Sequence, residues 1–81
     1  MLNLEVTTKL SLEEAGRRVT EFFGKKGLGL NITEDEPTRK CFDGGGGYVT
    51  IDLCAENNKT KLNLVTQEWE YQVKEFASNL S

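Results

Sequence analysis

Apolar and polar side chains alternate along the first ten residues of the chain. Leu2, Leu4 and Val6 fall on one face of an extended segment, and the residues between them are polar. A period of two with one polar face predicts a half-buried β-strand. The same alternation, or a short extended stretch bounded by turn residues, predicts four further strands. These lie at residues 28–32, 38–43, 48–55 and 60–66.

Two other segments repeat apolar residues at the spacing of a helix. In the first, Ser11 and Glu14 form a capping-box pattern that predicts the start of a helix at residue 12. The apolar stripe of this helix consists of Leu12, Ala15, Val19, Phe22 and Phe23. Gly16 lies at the edge of the stripe and costs about 1 kcal/mol of helix propensity. We therefore expect the helix to approach the sheet closely at Gly16.

The second helix occupies the C-terminal segment. Thr66 is the predicted N-cap, and acidic residues follow it early in the helix, where they suit the helix dipole. Its apolar stripe consists of Trp69, Val73, Phe76, Ala77 and Leu80. Tyr71 falls on the opposite, polar side of this helix.

The predicted elements form a single α+β domain that spans residues 1–81, in the order β-α-β-β-β-β-α. Each strand offers one apolar face, so we expect a five-stranded, mainly antiparallel sheet with both helices on one face. This element order resembles that of the helix-grip and TATA-binding-protein-like folds, over the whole chain. The resemblance implies a curved sheet around the C-terminal helix, and a small apolar ligand between the two.

Composition narrows the classes of function. Histidine is absent, which removes the commonest general base near neutral pH, so we expect no enzymatic activity. Cys41 and Cys54 fit no metal or redox motif, and we expect no metal or cofactor. The net charge of −3 argues against nucleic acid as a partner. No apolar run is long enough to span a membrane, and the N-terminus lacks the apolar block of a signal peptide, which predicts a cytoplasmic protein.

Four consecutive glycines precede the fourth strand. A phosphate-binding loop would need a strand before the glycines and a helix after them, whereas here a strand follows. The run therefore predicts a hairpin connection, and its length predicts a mobile or bulged loop. Mobile loops and exposed tyrosines are frequent in binding sites. The candidate contact residues for a ligand or partner are Gly44, Gly45, Gly46, Gly47, Tyr48 and Tyr71.

An RNA-binding alternative rests on two resemblances. Gly45, Gly47, Tyr48 and Val49 resemble part of the aromatic sheet motif of RNA-recognition motifs, and the segment 24–27 (GKKG) resembles the GXXG loop of KH domains. These resemblances imply that Tyr48 stacks on an unpaired base and that Lys25 and Lys26 contact the backbone. Of the aromatic platform, Tyr48 alone is present, and one stacked base contributes about 1–3 kcal/mol.

The sequence alone therefore leaves two functional hypotheses. The first is a non-catalytic binding or protein-interaction module whose partner is an unknown protein or a small apolar ligand. The second is single-stranded RNA binding through the open face of the sheet. For either hypothesis we expect a monomer or a weak homodimer.

Overall fold

The computed structural model describes residues 1–80 and has the predicted α+β architecture. A five-stranded antiparallel sheet carries two helices, in the order β-α-β-β-β-β-α. The elements are β1 (Leu2–Thr8), α1 (Leu12–Phe23), β2 (Asn31–Glu36), β3 (Arg39–Gly44), β4 (Gly47–Glu56), β5 (Lys59–Gln67) and α2 (Glu70–Leu80).

The strands lie in the order β1-β5-β4-β3-β2, so β1 and β2 form the two edges of the sheet. Strands β2 to β5 are joined by two-residue turns, each of which reverses the chain into an antiparallel neighbour. The turn at Asn57-Asn58 has positive φ values of 48° and 66°, which asparagine tolerates better than most residues. It connects the two strands that the sequence predicts at residues 48–55 and 60–66.

Both helices pack on the same face of the sheet and enclose the core. Helix α1 contacts β3, β4 and β5, whereas α2 contacts β1 and β5. The ring of Phe76 on α2 lies 5.2 Å from Phe22 and 5.3 Å from Phe23, centroid to centroid, which joins the two helices. Neither helix within residues 1–80 combines the length and the apolar character needed to cross a membrane.

The second strand begins later than the alternation of leucines predicts. Residues 28–30 form a loop whose backbone bonds back to the end of α1, and β2 starts at Asn31. Leu28 and Leu30 still pack against the core from this loop, which explains the apolar pattern without a strand. Ile32 belongs to the alternating apolar pattern of the predicted strand, but it is 45% exposed because neither helix packs extensively against β2.

The predicted cap of the last helix is also wrong. Thr66 lies inside β5, fully buried, and its hydroxyl donates to the carbonyl oxygen of Tyr48 at 2.7 Å. Glu68 then turns the chain with a φ of 82°, and α2 begins at Glu70. The alternation of β5 continues through Thr66, and this strand pairing determines where the helix can start.

Candidate protein-interaction edge

The glycine run forms the predicted hairpin connection, but as a two-residue turn without a bulge. Gly44 pairs with Gly47 as the last rung between β3 and β4, and Gly45 and Gly46 make the turn with φ values of 60° and 84°. Both central residues thus have the positive φ that favours glycine in two-residue hairpins. The indole Nε1 of Trp69 donates to the carbonyl oxygen of Gly44 at 3.0 Å, so the start of α2 holds the hairpin.

The two candidate tyrosines lie on different surfaces. Tyr48 is half-buried on the open face of the sheet, between Asp43 and Gln67 of the neighbouring strands. Tyr71 is 72% exposed on α2, on the side away from the buried face of that helix. The structure therefore brings Tyr48 next to the glycine hairpin but does not bring Tyr71 to the same surface.

The open face of the sheet carries more acidic than basic side chains. By the strand register, its carboxylates are Glu5, Glu34, Glu36, Asp43, Asp52 and Glu56, and its cations are Arg39, Lys59 and Lys61. Arg39 bonds Asp52 at 2.8 Å, and this hydrogen bond raises the pKa of the guanidinium. This surface is polar and net negative, which disfavours a phosphate backbone.

Lys25 and Lys26 are exposed but do not extend this face. They lie in the loop directly after α1, where the amide of Leu28 bonds back to the carbonyl oxygen of Phe22. This loop therefore belongs to the helix side of the sheet, whereas Tyr48 lies on the open side. The lysines and the tyrosine of the RNA hypothesis do not share one surface.

A groove with a volume of about 810 Å³ lies between α1 and the turn from β2 to β3. Lys40 on β3 points into it from the helix face of the sheet and is almost fully buried. Its ammonium contacts the Asp35 carboxylate at 2.6 Å, so the two charges neutralise each other. Gly16 is buried against the side chain of Lys40, which confirms the expected close approach of α1 to the sheet.

Edge strand β2 carries several features that protect a sheet edge from pairing with another chain. Three of its six residues, Glu34 to Glu36, are acidic, and Asp35 lies on the helix face. The pairing with β3 is interrupted by a bulge at Thr33, and Pro37 follows the strand. Charges, bulges and prolines at an edge all hinder strand addition.

Edge strand β1 lacks these protections. Its seven residues pair with β5 in one unbroken register, from Leu2 opposite Thr66 to Thr8 opposite Thr60. The strand contains no proline or glycine, and its one charged residue is Glu5. Glu5 contacts Lys61 on β5 at 3.3 Å, and their hydrogen bond raises the pKa of that ammonium.

Helix α2 covers one face of β1 and leaves its outer edge open. The helix runs parallel to the strand, since the N-terminal ammonium of Met1 contacts Glu70 and the hydroxyl of Thr8 donates to the carbonyl oxygen of Leu80. Beneath it, Leu2, Leu4 and Val6 are only half-buried. Within residues 1–80, no strand pairs with the outer edge of β1. This edge, with its row of half-buried apolar side chains, is the candidate interaction site.

The strand predicted at residues 38–43 corresponds to β3 (Arg39–Gly44), which lies near an edge of the sheet but is paired on both sides, by β2 and β4. The order of strands is not readable from the alternation of each strand. One signal for β1 was present, because this strand has regular alternation and a single charge.

The comparisons with known proteins assign no family. No protein-family model matches the chain, and no curated protein matches it. Within residues 1–80, no group of three or more acidic or cysteine side chains is arranged to hold a metal ion.

Proposed function

We propose that the chain is a non-catalytic protein-interaction module that binds an extended polypeptide strand along the outer edge of β1. The observation that carries this proposal is the contrast between the two edges of the sheet. Strand β2 has charges, a bulge and a following proline, while β1 has an unbroken register and one charge. Natural sheets protect edges that must remain unpaired. An unprotected edge of seven residues is best explained by a partner that covers it.

The chemistry of strand addition fits this edge. An antiparallel edge strand directs about half of its backbone N–H and C=O groups outward, where an added strand can pair with them. Such pairing supplies affinity through the main chain, and alternate side chains supply specificity. On the helix side, Leu2, Leu4 and Val6 offer a partly exposed apolar row to the side chains of the partner.

The alternatives receive less support from the geometry. A small apolar ligand beneath α2 would have to displace Val73, Phe76 and Leu80, which are buried there. Binding of single-stranded RNA would place phosphates on the acidic open face. The net charge of that face and its separation from Lys25 and Lys26 both favour the protein-interaction proposal.

The proposal is tested by mapping where extended peptides bind. Linear twelve-residue peptides displayed on phage are selected on the immobilised chain, and one selected peptide is titrated into labelled protein. We expect the amide shifts to change along residues 2–8 and the outward amides of β1 to exchange more slowly with solvent. The amides of Gly44 to Gly47 and of Tyr71 serve as internal controls, because they lie outside the proposed site.

Two results would contradict the proposal. Shift changes centred on the glycine hairpin, Tyr48 or Tyr71 would place binding at the surface first predicted from the sequence. If the chain is also monomeric under the conditions of the selection, failure to select any peptide that perturbs β1 would rule out strand addition. A parallel titration with a single-stranded RNA of twelve uridine nucleotides should show no binding at low or moderate salt. Binding that weakens as the salt concentration rises would support the RNA hypothesis.

A further inference from the structure

We infer that the strand that pairs with β1 is β1 of a second copy of this chain. This inference rests on the proposed function and names its partner. Two copies related by a two-fold axis would join their β1 strands antiparallel and form one ten-stranded sheet. Interfaces of this kind are self-complementary, since one patch meets the same patch on its partner. Whether β1 fits a second copy of itself can therefore be judged from which of its residues would lie opposite each other.

The alternation of β1 limits the registers that two copies can adopt. For a continuous sheet with all helices on one side, residues of the same face must lie opposite each other. An axis through Leu4 satisfies this condition and places Leu4 opposite its own copy. It also places Leu2 opposite Val6 and Asn3 opposite Glu5, twice each. Every apolar side chain then meets an apolar one, and each carboxylate meets an amide that can donate to it.

Neighbouring registers are less favourable. An axis through Glu5 places the two Glu5 carboxylates directly opposite each other, and like charges in that position are destabilising. An axis through Val6 sets Leu4 against Thr8, which loses apolar contact. The Leu4 register alone keeps the three apolar residues of both copies in one continuous row. These side chains are half-buried in the single chain, so this pairing removes further apolar surface from water.

The other edge does not offer the same self-complementarity. Two β2 strands in antiparallel contact would bring segments that each contain Glu34, Asp35 and Glu36 close together. The bulge at Thr33 would also interrupt the ladder. The second copy is therefore expected at β1 and not at β2.

The experiment measures the mass of the full chain as a function of concentration. Sedimentation velocity should show a species of twice 9.1 kDa that grows as the concentration rises. Asn3→Glu sets two carboxylates opposite the two Glu5 side chains and should weaken association by about tenfold, from two unfavourable pairs. Asn3→Lys sets two ammonium groups there instead and should tighten association severalfold.

Asn31→Glu is the matched control. Asn31 is also exposed on the open face of an edge strand, but it lies on β2. This substitution should leave association within twofold of the wild type. Far-ultraviolet circular dichroism checks that all three variants keep the fold. The opposite effects of Asn3→Glu and Asn3→Lys separate register-specific pairing from a general loss of structure.

The outcomes distinguish this inference from the proposed function. A chain that stays at 9.1 kDa up to millimolar concentration overturns the second copy as partner. In that case, selected peptides that still map to residues 2–8 leave the strand-binding function intact. A dimer that responds equally to Asn3→Glu and Asn31→Glu, or to neither, forms through another surface and also overturns the inference.

Discussion

The side chain of Lys40 on β3 occupies the space that a methyl group on Gly16 of α1 would need. A Cβ atom at Gly16 would lie 3.0 Å from the Cε atom of Lys40, which is tighter than ordinary contact. Lys40 is almost fully buried here and reaches Asp35 at the rim of the groove. The missing side chain of Gly16 and the buried lysine therefore belong to one packing arrangement.

This arrangement predicts that the effect of Gly16→Ala depends on Lys40. In a helix interior, alanine is favoured over glycine by about 1 kcal/mol. In the wild-type chain, we expect the crowding of Lys40 to cancel this gain or to reverse it. In a Lys40→Ala background the space is open, so Gly16→Ala should stabilise the fold by roughly 1 kcal/mol.

Urea unfolding of the four proteins of this double-mutant cycle provides the measurement. A change of the same sign and size in both backgrounds would show that Gly16 and Lys40 are not coupled. A stabilisation of about 1 kcal/mol in the wild-type chain itself would contradict the predicted crowding.

The indole hydrogen bond that holds the glycine hairpin gives a second prediction. Trp69→Phe keeps an aromatic ring but removes the Nε1 donor that bonds the carbonyl oxygen of Gly44. We expect a loss of about 1 kcal/mol in the free energy of unfolding, since a partly buried hydrogen bond contributes about that much. Tyr71→Phe is the control. Tyr71 is largely exposed, so removal of its hydroxyl should change the free energy of unfolding by less than about 0.5 kcal/mol. Equal stabilities of the two variants would contradict this role of Trp69.

The two central glycines of the hairpin should tolerate alanine differently. Both have positive φ, so each substitution introduces backbone strain of about 1 kcal/mol. A Cβ atom on Gly45 would also lie 2.9 Å from Cζ2 of Trp69, whereas a Cβ atom on Gly46 would meet no heavy atom of residues 1–80 within 4 Å apart from its chain neighbours. We therefore expect Gly45→Ala to cost about 1 kcal/mol more than Gly46→Ala.

Thermal or urea unfolding of the two alanine variants measures this difference. A Trp69→Leu background supplies the control, because the smaller side chain should reduce the excess cost at Gly45. If Gly46→Ala were the more damaging substitution, the position assigned to the Trp69 ring would be wrong.

The sequence predicts the architecture well because the alternation of apolar and polar residues in most strands indicates which face of the strand is buried. Apolar and polar residues alternate regularly in β4 and β5, and the apolar ones fill the core as expected: Val49, Ile51, Leu53, Leu62 and Leu64. The failures occur where local patterns compete with tertiary pairing. Thr66 is a good helix cap in isolation, but it occupies an inward position of β5 and stays in the sheet. Leu28 and Leu30 alternate as in a strand, yet they reach the core from a loop.

The candidate interaction edge could not be predicted in the same way. Whether a strand lies at an edge depends on the order of strands, which only long-range pairing determines. The buried position of Lys40 was missed for a related reason, since its partner Asp35 is brought opposite by the β2–β3 register. Gly16, which predicted a close approach of α1 to the sheet, was the one local signal of that arrangement.

Acidification should weaken the contact at the start of α2. A hydrogen bond donated by its own backbone N–H holds the pKa of the Glu70 carboxyl below the usual value of a glutamate, with a further contribution from the N-terminal ammonium. A lowered pKa in the folded state means that the carboxylate stabilises the fold above the unfolded pKa. That contribution is lost as the pH falls through the folded pKa.

Carbon-detected titration of the Glu70 carboxyl measures this pKa directly. In addition, the free energy of unfolding of Glu70→Gln should fall less than that of the wild type when the pH is lowered from about 5 to 2. Since Glu70 lies near the surface, the difference should shrink at high salt. Parallel stability curves for the two proteins would contradict the assigned contact.

An isotope-filtered NOE experiment observes the pairing of β1 with β1 of a second copy. Labelled and unlabelled chains are mixed at a concentration where the mass has doubled, so only contacts between copies are observed. We predict contacts between the Leu4 methyl groups of the two copies, and between Leu2 of one copy and Val6 of the other. Intermolecular contacts confined to β2 or to Tyr71 on α2, with none at Leu4, would contradict the account.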